Sequence, residues 1–110
     1  MSNIYETTII VKPDLANDQL KNLTTSIENF FDDNNLNIGY KEDWGIKNLK
    51  FSINKYSKGA FKFVRFMSDA TFPKKLDNFL KFNSDCLRFL IVKSDNGLED
   101  PTPQINKDNQ

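Results

Sequence analysis

Apolar residues alternate with polar ones along some stretches of the chain and recur every three to four residues along others, and the two periods predict different elements. Tyr5 to Val11 is rich in β-branched residues and stops at Lys12-Pro13-Asp14, which reads as a strand running into a turn. From Asn17, a good N-cap with Asp18 in the first turn behind it, Leu20, Leu23, Ile27, Phe30 and Phe31 make one apolar helical stripe. Asp32-Asp33-Asn34-Asn35 ends that helix, its acids opposing the helix dipole. A second strand starts at Leu36-Asn37-Ile38 and continues into residues 42–62, where two alternating runs flank a polar segment, Tyr56-Ser57-Lys58-Gly59, in the manner of a β-hairpin. Leu49, Phe51 and Ile53 share one side of the first arm, Asn48, Lys50, Ser52 and Asn54 the other, and Gly45 within the run marks a bulge. Ala60 to Met67 forms the third strand. Asp69-Ala70-Thr71 opens a second helix, with Thr71 as cap and Pro73 in the first turn, and Leu76, Phe79 and Leu80 as its buried stripe. After Asn83-Ser84-Asp85 the last strand, Cys86 to Lys93, is apolar on both faces.

The order strand–helix–strand–strand–helix–strand predicts an α+β, ferredoxin-like split βαβ fold: a four-stranded antiparallel sheet with two helices on one face. Residues 1–94 make one domain, and 95–110, polar and without periodicity, are expected to be a disordered tail. Alternation assigns Tyr5, Thr7, Ile9, Val11, Val64, Phe66, Phe89 and Ile91 to the helices. It leaves Ile10, Phe61, Phe63, Leu90 and Val92 on the other face beside Arg65 and Arg88. Large apolar groups left facing water on a sheet form a patch that calls for a partner, so Ile10, Phe61, Phe63, Arg65, Leu90 and Val92 are candidate partner-binding residues.

Composition narrows the chemistry. There is no histidine, which removes a His general base and most zinc sites, and Cys86 is the only cysteine, which removes an intrachain disulfide and pair-based metal motifs. No cofactor and no metal are expected. No apolar run reaches the ~20 residues of a membrane span, and the N-terminus lacks the basic start and apolar centre of a signal peptide, so a cytoplasmic protein is expected.

The zero net charge conceals an asymmetry. Residues 41–65 carry seven basic side chains (Lys41, Lys47, Lys50, Lys55, Lys58, Lys62, Arg65) against Glu42 and Asp43, whereas the residues before and the tail after are acidic. A basic hairpin on an otherwise acidic chain is the footprint of a polyanion site. Lysines that only solvate an exposed hairpin and discourage edge-to-edge pairing would look the same in sequence.

At these residues the chain resembles a known family. Tyr5-Glu6, Lys12-Pro13-Asp14, Glu42-Asp43-Trp44-Gly45, Leu49-Lys50-Phe51-Ser52-Ile53-Asn54-Lys55, Phe82-Asn83 and Leu87-Arg88 leading into Val92-Lys93 follow the order and spacing of the bacterial ribosomal protein S6 family over about residues 4–94. The resemblance implies a non-catalytic ferredoxin-like component of the small ribosomal subunit. Its implied partners are ribosomal protein S18 and the central domain of the small-subunit ribosomal RNA, with no membrane and no small-molecule substrate. Four positions depart from the family pattern: Ile46 stands where a basic residue is usual beside Lys47, Ser52 stands where a proline is usual, and Ser2 and Asn3 stand where some members carry arginines. These departures imply RNA binding that leans on the protein partner.

The candidate RNA-binding residues are Lys47, Asn48 and Lys50 on the hairpin, Trp44 beside them, and Arg88 and Lys93 on the last strand. Lysines would meet phosphates, and Asn48 could bond sugar or base edges. Core packing is the plainer reading of Trp44, and Arg88 would also serve as a gatekeeper on an apolar strand. Other activities on the same topology fit less well. A stand-alone RNA-recognition motif would want glycine and aromatics where Lys62 to Phe66 stand. An acylphosphatase-like hydrolase would want an anion-cradling loop where Lys12-Pro13-Asp14-Leu15 stand. A small-molecule regulatory module would show itself by self-association through sheet edges.

Overall fold

Six elements follow the predicted order in the computed structural model, which describes residues 2–95 and Gly97. They are β1 (Asn3–Val11), α1 (Asn17–Asp33), β2 (Ile38–Ile53), β3 (Tyr56–Ser68), α2 (Phe72–Lys81) and β4 (Cys86–Lys93). The strands lie in the order β2-β3-β1-β4, and each neighbouring pair is antiparallel, which is the ferredoxin-like arrangement.

The helix-covered face follows from alternation. Ile9, Val11, Val64 and Phe66 meet Leu23, Ile27 and Phe31 of α1 and Phe72, Leu76 and Leu80 of α2 in one core, with Tyr5, Phe89 and Ile91 packed at its margin. Phe66 lies edge-on to Phe31 and to Phe72, at 5.1 and 5.4 Å between ring centroids, a geometry that adds to the burial of the rings. One polar group intrudes: the Thr7 hydroxyl is buried there with no hydrogen-bond partner among the described residues.

Both helix starts differ from expectation in the residue that does the capping. Ala16, not Asn17, is the N-cap of α1; its N–H donates to Gln19 Oε1 at 3.0 Å, half of a capping box. At α2, Thr71 holds the N-cap position but makes no side-chain cap. Asp69 Oδ1 takes its place, accepting from Thr71 Oγ1 at 2.7 Å, Thr71 N at 3.0 Å and Phe72 N at 3.2 Å. Those bonds, the Thr71 hydroxyl first, hold the Asp69 carboxyl below its usual range.

The hairpin turn is also displaced. It falls at Asn54-Lys55, where both residues have positive φ (48° and 73°), so Tyr56–Gly59 belongs to β3. Two positive φ values make a primed turn, whose twist suits the strands, and asparagine tolerates that region. Gly59 serves close approach instead: a Cβ there would collide with Ile10 Cγ2.

Along β2 the register against β3 shifts between Ile38 and Tyr40, between Asp43 and Gly45, and between Asn48 and Ile53. The middle shift is the bulge expected at Gly45, whose φ is +78°. Asp43 Oδ1 accepts the Gly45 N–H at 2.9 Å. β1 pairs with β3 only as far as Val11 opposite Ala60. Beyond that row Lys47, Asn48 and Ile53 pair with Gly59, Lys58 and Tyr56 alone, so Lys47–Gly59 forms a two-stranded ribbon, turn included, that extends past the sheet.

After β4 the chain returns to the sheet. Ser94 N–H donates to Ile4 O at 2.7 Å, Ser94 Oγ donates to Glu6 Oε2 at 2.8 Å, and Gly97 O accepts from Arg65 Nη1 at 3.2 Å. The tail expected to be disordered lies, apart from Asp95 and Gly97, outside the described residues.

Candidate nucleic-acid interface

Residues that alternate with the core positions occupy the helix-free face, and register arranges them in rows across the sheet. One row holds Arg88, Ile10, Phe61 and Gly45; the next Leu90, Thr8, Phe63 and Glu42; the third Val92, Glu6, Arg65 and Tyr40. Phe61, Phe63 and Arg65 were expected to face water in an open patch, and they do not: the two rings are buried and Arg65 is fully buried.

The cover comes from β2 and from across the sheet. The Trp44 indole stacks on Phe63 with 5.4 Å between centroids and 12° between planes, and Tyr40 meets the same ring edge-on at 6.4 Å. Glu42 holds both lids: its Oε1 accepts the Trp44 indole N–H at 2.6 Å, and its Oε2 accepts the Tyr40 hydroxyl. The Arg65 guanidinium carbon lies 5.3 Å from the Tyr40 ring centroid and 5.5 Å from that of Phe63. Its Nε and Nη2 donate to Glu6 Oε2 at 3.1 and 2.9 Å. An arginine buried this way is tolerable because its charge is paired and its flat faces meet π-systems. Sheet faces were assigned correctly by alternation; the error lay in treating a face without helices as a face without cover.

What stays exposed on that side is the β4 edge, where Leu90 is 62% and Val92 42% exposed, with Ile10 half-buried between that edge and the centre. Of the six candidate partner-binding residues these three alone present apolar surface.

Among the candidate RNA-binding residues, Trp44 packs rather than stands free, as its half-buried ring on Phe63 shows. Lys47 joins it. Three residues apart in a regular strand, the two would lie on opposite faces; the bulge sets Lys47 opposite Gly59 on the helix-free side, with Nζ 5.5 Å from the indole centroid. Asn48 and Lys50 are exposed on the ribbon. Arg88 is exposed on the same face as Lys47 but on β4, at the opposite edge of the sheet. Lys93 does not join them: it lies opposite Tyr5, on the helix side. Five residues separate it from Arg88 along an unbroken strand, and an odd interval reverses the face.

Ion pairing sorts the basic residues of the hairpin region. Lys41 pairs with Glu28 at 2.9 Å, Lys62 with Asp43 at 3.0 Å and Arg65 with Glu6. The Asp43 carboxyl is held below its usual range by the Gly45 N–H first and by Lys62 after it. Lys47, Lys50, Lys55 and Lys58 form no ion pair among the described residues; three stand on the strands of the ribbon and Lys55 in its turn. No acidic residue occurs between Trp44 and Ser68; Asp14 reaches the ribbon from outside, its Oδ2 accepting from Tyr56 Oη at 3.4 Å, and pairs with no lysine among the described residues. Lys55 and Lys58 counted toward the basic asymmetry without being singled out, and only the ion-pair map separates them from Lys41 and Lys62. Phe51 was expected to share the side of Leu49 and Ile53. It is 78% exposed while they are half-buried, because the irregular register between Asn48 and Ile53 breaks the alternation. Among the described residues no cluster of Cys, Asp or Glu suits a metal ion, and no helix is long and apolar enough to cross a membrane.

Comparison with known proteins agrees with this arrangement. The sequence model of the family described as ribosomal protein S6 matches residues 4–93. The chain is 33% identical over 101 residues to the small ribosomal subunit protein bS6 of Geobacter metallireducens, covering 92% of this chain and 86% of that protein. It is 30% identical over 104 residues to the protein of the same name from Ruegeria pomeroyi, covering 94% and 89%. The fold is similar to the crystal structure of 30S ribosomal protein S6 from Thermotoga maritima, with a TM-score of 0.78, 20% identity, and coverage of 86% of this chain and 89% of that one. The chain belongs to the ribosomal protein S6 family, structural and non-enzymatic components of the small ribosomal subunit.

Proposed function

We propose that the chain binds the central domain of the small-subunit ribosomal RNA together with ribosomal protein S18, using the β2–β3 ribbon for the RNA and the β4 edge of the helix-free face for the protein. The observation that carries the RNA half is the set of four lysines on the ribbon without an acidic partner among the described residues. Lysines in that state release counterions when they meet phosphates, which drives association with a polyanion. Trp44 and Asn48 act from the same strand, Trp44 by holding Lys47 in place and Asn48 by its exposed amide. Arg88, at the far edge, reaches a separate phosphate or flanks the protein partner.

Support for the protein half is the exposure of Leu90 and Val92 beside half-buried Ile10, an apolar strip next to the Glu6–Arg65 pair. Phe61, Phe63 and Arg65 stiffen the surface behind that strip instead of meeting the partner themselves. The folded domain is residues 1–94, with the segment after it contributing the Gly97 contact to Arg65.

The test is assembly in two parts. Leu90→Asp with Val92→Asp should leave the cooperative melt intact and abolish pairing with S18. Lys47→Glu with Lys50→Glu should preserve that pairing and weaken the complex on the RNA. If the lysine variant assembles on small-subunit ribosomal RNA like the parent, the ribbon is not the RNA site.

A further inference from the structure

The ribbon carries, besides its lysines, an aromatic side chain that the fold does not use. Phe51 is 78% exposed, although ring burial is worth more than that of most side chains and the nearby sheet buries the rings of Phe61 and Phe63. It follows Lys50 in sequence and lies in the same two-stranded segment as Lys47, Lys55 and Lys58, with no acid between Trp44 and Ser68. An exposed ring needs an apolar partner, and its surroundings select one that carries negative charge. A protein docking surface of the ordinary kind surrounds its aromatic anchors with a mixed polar rim. A ring set among unneutralised cations suits a molecule that joins a flat π-face to phosphates, which is an unpaired nucleotide.

Pairing holds the ribbon on either side of that ring: Asn48 lies opposite Lys58 and Ile53 opposite Tyr56, with Phe51 in the irregular stretch between them. Leu49 and Ile10 close over Gly59 at its root, and the Asn54-Lys55 turn closes its end. Trp44, the only tryptophan, is committed to Phe63 and Lys47, so Phe51 is the ring on this arm with free faces.

We infer that Phe51 is a stacking platform for an unpaired base of the ribosomal RNA, flanked by lysines that hold the adjoining phosphates. This rests on the reading that the ribbon binds RNA, and it adds a preference that lysines alone cannot give. Phosphate contacts do not tell a paired strand from an unpaired one with a splayed base, whereas a stacking ring requires the base to be free.

The test measures affinity of the full chain, with S18 present, for purified small-subunit ribosomal RNA over a range of salt. Because Phe51 is exposed, its substitutions should leave the thermal midpoint unchanged, and a melt of each variant checks this. Phe51→Ala should weaken binding on the order of five- to a hundredfold while leaving the salt slope as it was, since no phosphate contact is lost. Phe51→Leu, apolar but without a π-face, should lose nearly as much, and Phe51→Trp should bind at least as well as the parent. Equal binding by the parent and Phe51→Ala overturns the platform, and so does full retention by Phe51→Leu. Loss of affinity for S18 in the absence of RNA also overturns it, making Phe51 a protein contact. Failure of the parent itself to bind the RNA is a different result, and it removes the RNA reading of the ribbon as a whole.

Discussion

Arg65 and Phe66 are adjacent in β3, both fully buried, and they face opposite sides of one sheet. Phe66 is buried by apolar side chains from both helices, and each contact is favourable by itself at about 25 cal/mol per Å2 of apolar surface removed from water. Burial of Arg65 is unfavourable by itself, costing several kcal/mol in lost hydration. It is offset where Glu6, Tyr40, Phe63 and Gly97 converge on it from separate places in the chain. One side of the sheet is therefore held by a sum of small independent gains. The other is held by an arrangement whose parts depend on one another.

The largest effects should come from breaking that dependence. Glu6→Leu removes the carboxylate that pairs with the buried Arg65 guanidinium at 2.9 Å and should cost about 3–5 kcal/mol in denaturant unfolding. Phe66→Ala, its counterpart among the core residues, should cost a similar 3–5 kcal/mol through lost transfer energy and a cavity. The double variant Glu6→Leu, Arg65→Met sharpens the contrast: with both charges gone, stability should return to within about 1 kcal/mol of the parent. Phe63→Asp belongs with the large effects, since its carboxylate would be buried between Trp44 and Tyr40, and it should abolish the cooperative melt.

A middle-sized effect is expected where the two regions meet the ribbon. Gly59→Ala drives a methyl into Ile10, a branched side chain with little freedom to move, and should cost about 1–3 kcal/mol. On the helix side, Thr7→Val replaces the unpartnered hydroxyl with a methyl of the same shape and should raise stability by about 1 kcal/mol.

What the sequence made legible follows the same division. The helix-covered core could be read from periodicity, since Ile9, Val64 and Phe66 need only point the right way to find an apolar neighbour. Alternation also gave the correct face for Phe61 and Phe63. It could not give their burial, because that depends on Trp44 lying over Phe63, and the closing bonds to Glu42 are set by geometry and not by period. The same limit hid the site. Which lysines are free depends on which acids fold beside them, and Glu28, thirteen residues before Lys41 and on another element, is invisible to any local pattern. Lys93 stands apart from Arg88 for a simpler reason, an odd interval along a strand whose parity can be counted.

The smallest effects should appear with pH. Asp43 and Asp69 are both held below the ordinary value of 3.8, so their contributions are complete above it and are lost as pH falls through and below it. Asp69→Asn should therefore make unfolding less sensitive to acid in that range, as read by melts at successive pH values. Burial pushes the Cys86 thiol up to about 11, so thiol reagents should label it slowly near neutral pH and faster as pH approaches that value.

The most direct measurement compares two sets of lysines through the salt dependence of binding to small-subunit ribosomal RNA with S18 present. Changing Lys47, Lys50, Lys55 and Lys58 to Gln should flatten the slope of log K against log salt by up to about three and a half units, at roughly 0.7–0.9 per phosphate contact. Changing Lys41 and Lys62 to Gln, whose charges are already answered by Glu28 and Asp43, should leave that slope unchanged. Equal slopes for the parent and the ribbon variant, or equal flattening by both sets, would contradict the assignment of RNA binding to the unpaired lysines of the ribbon.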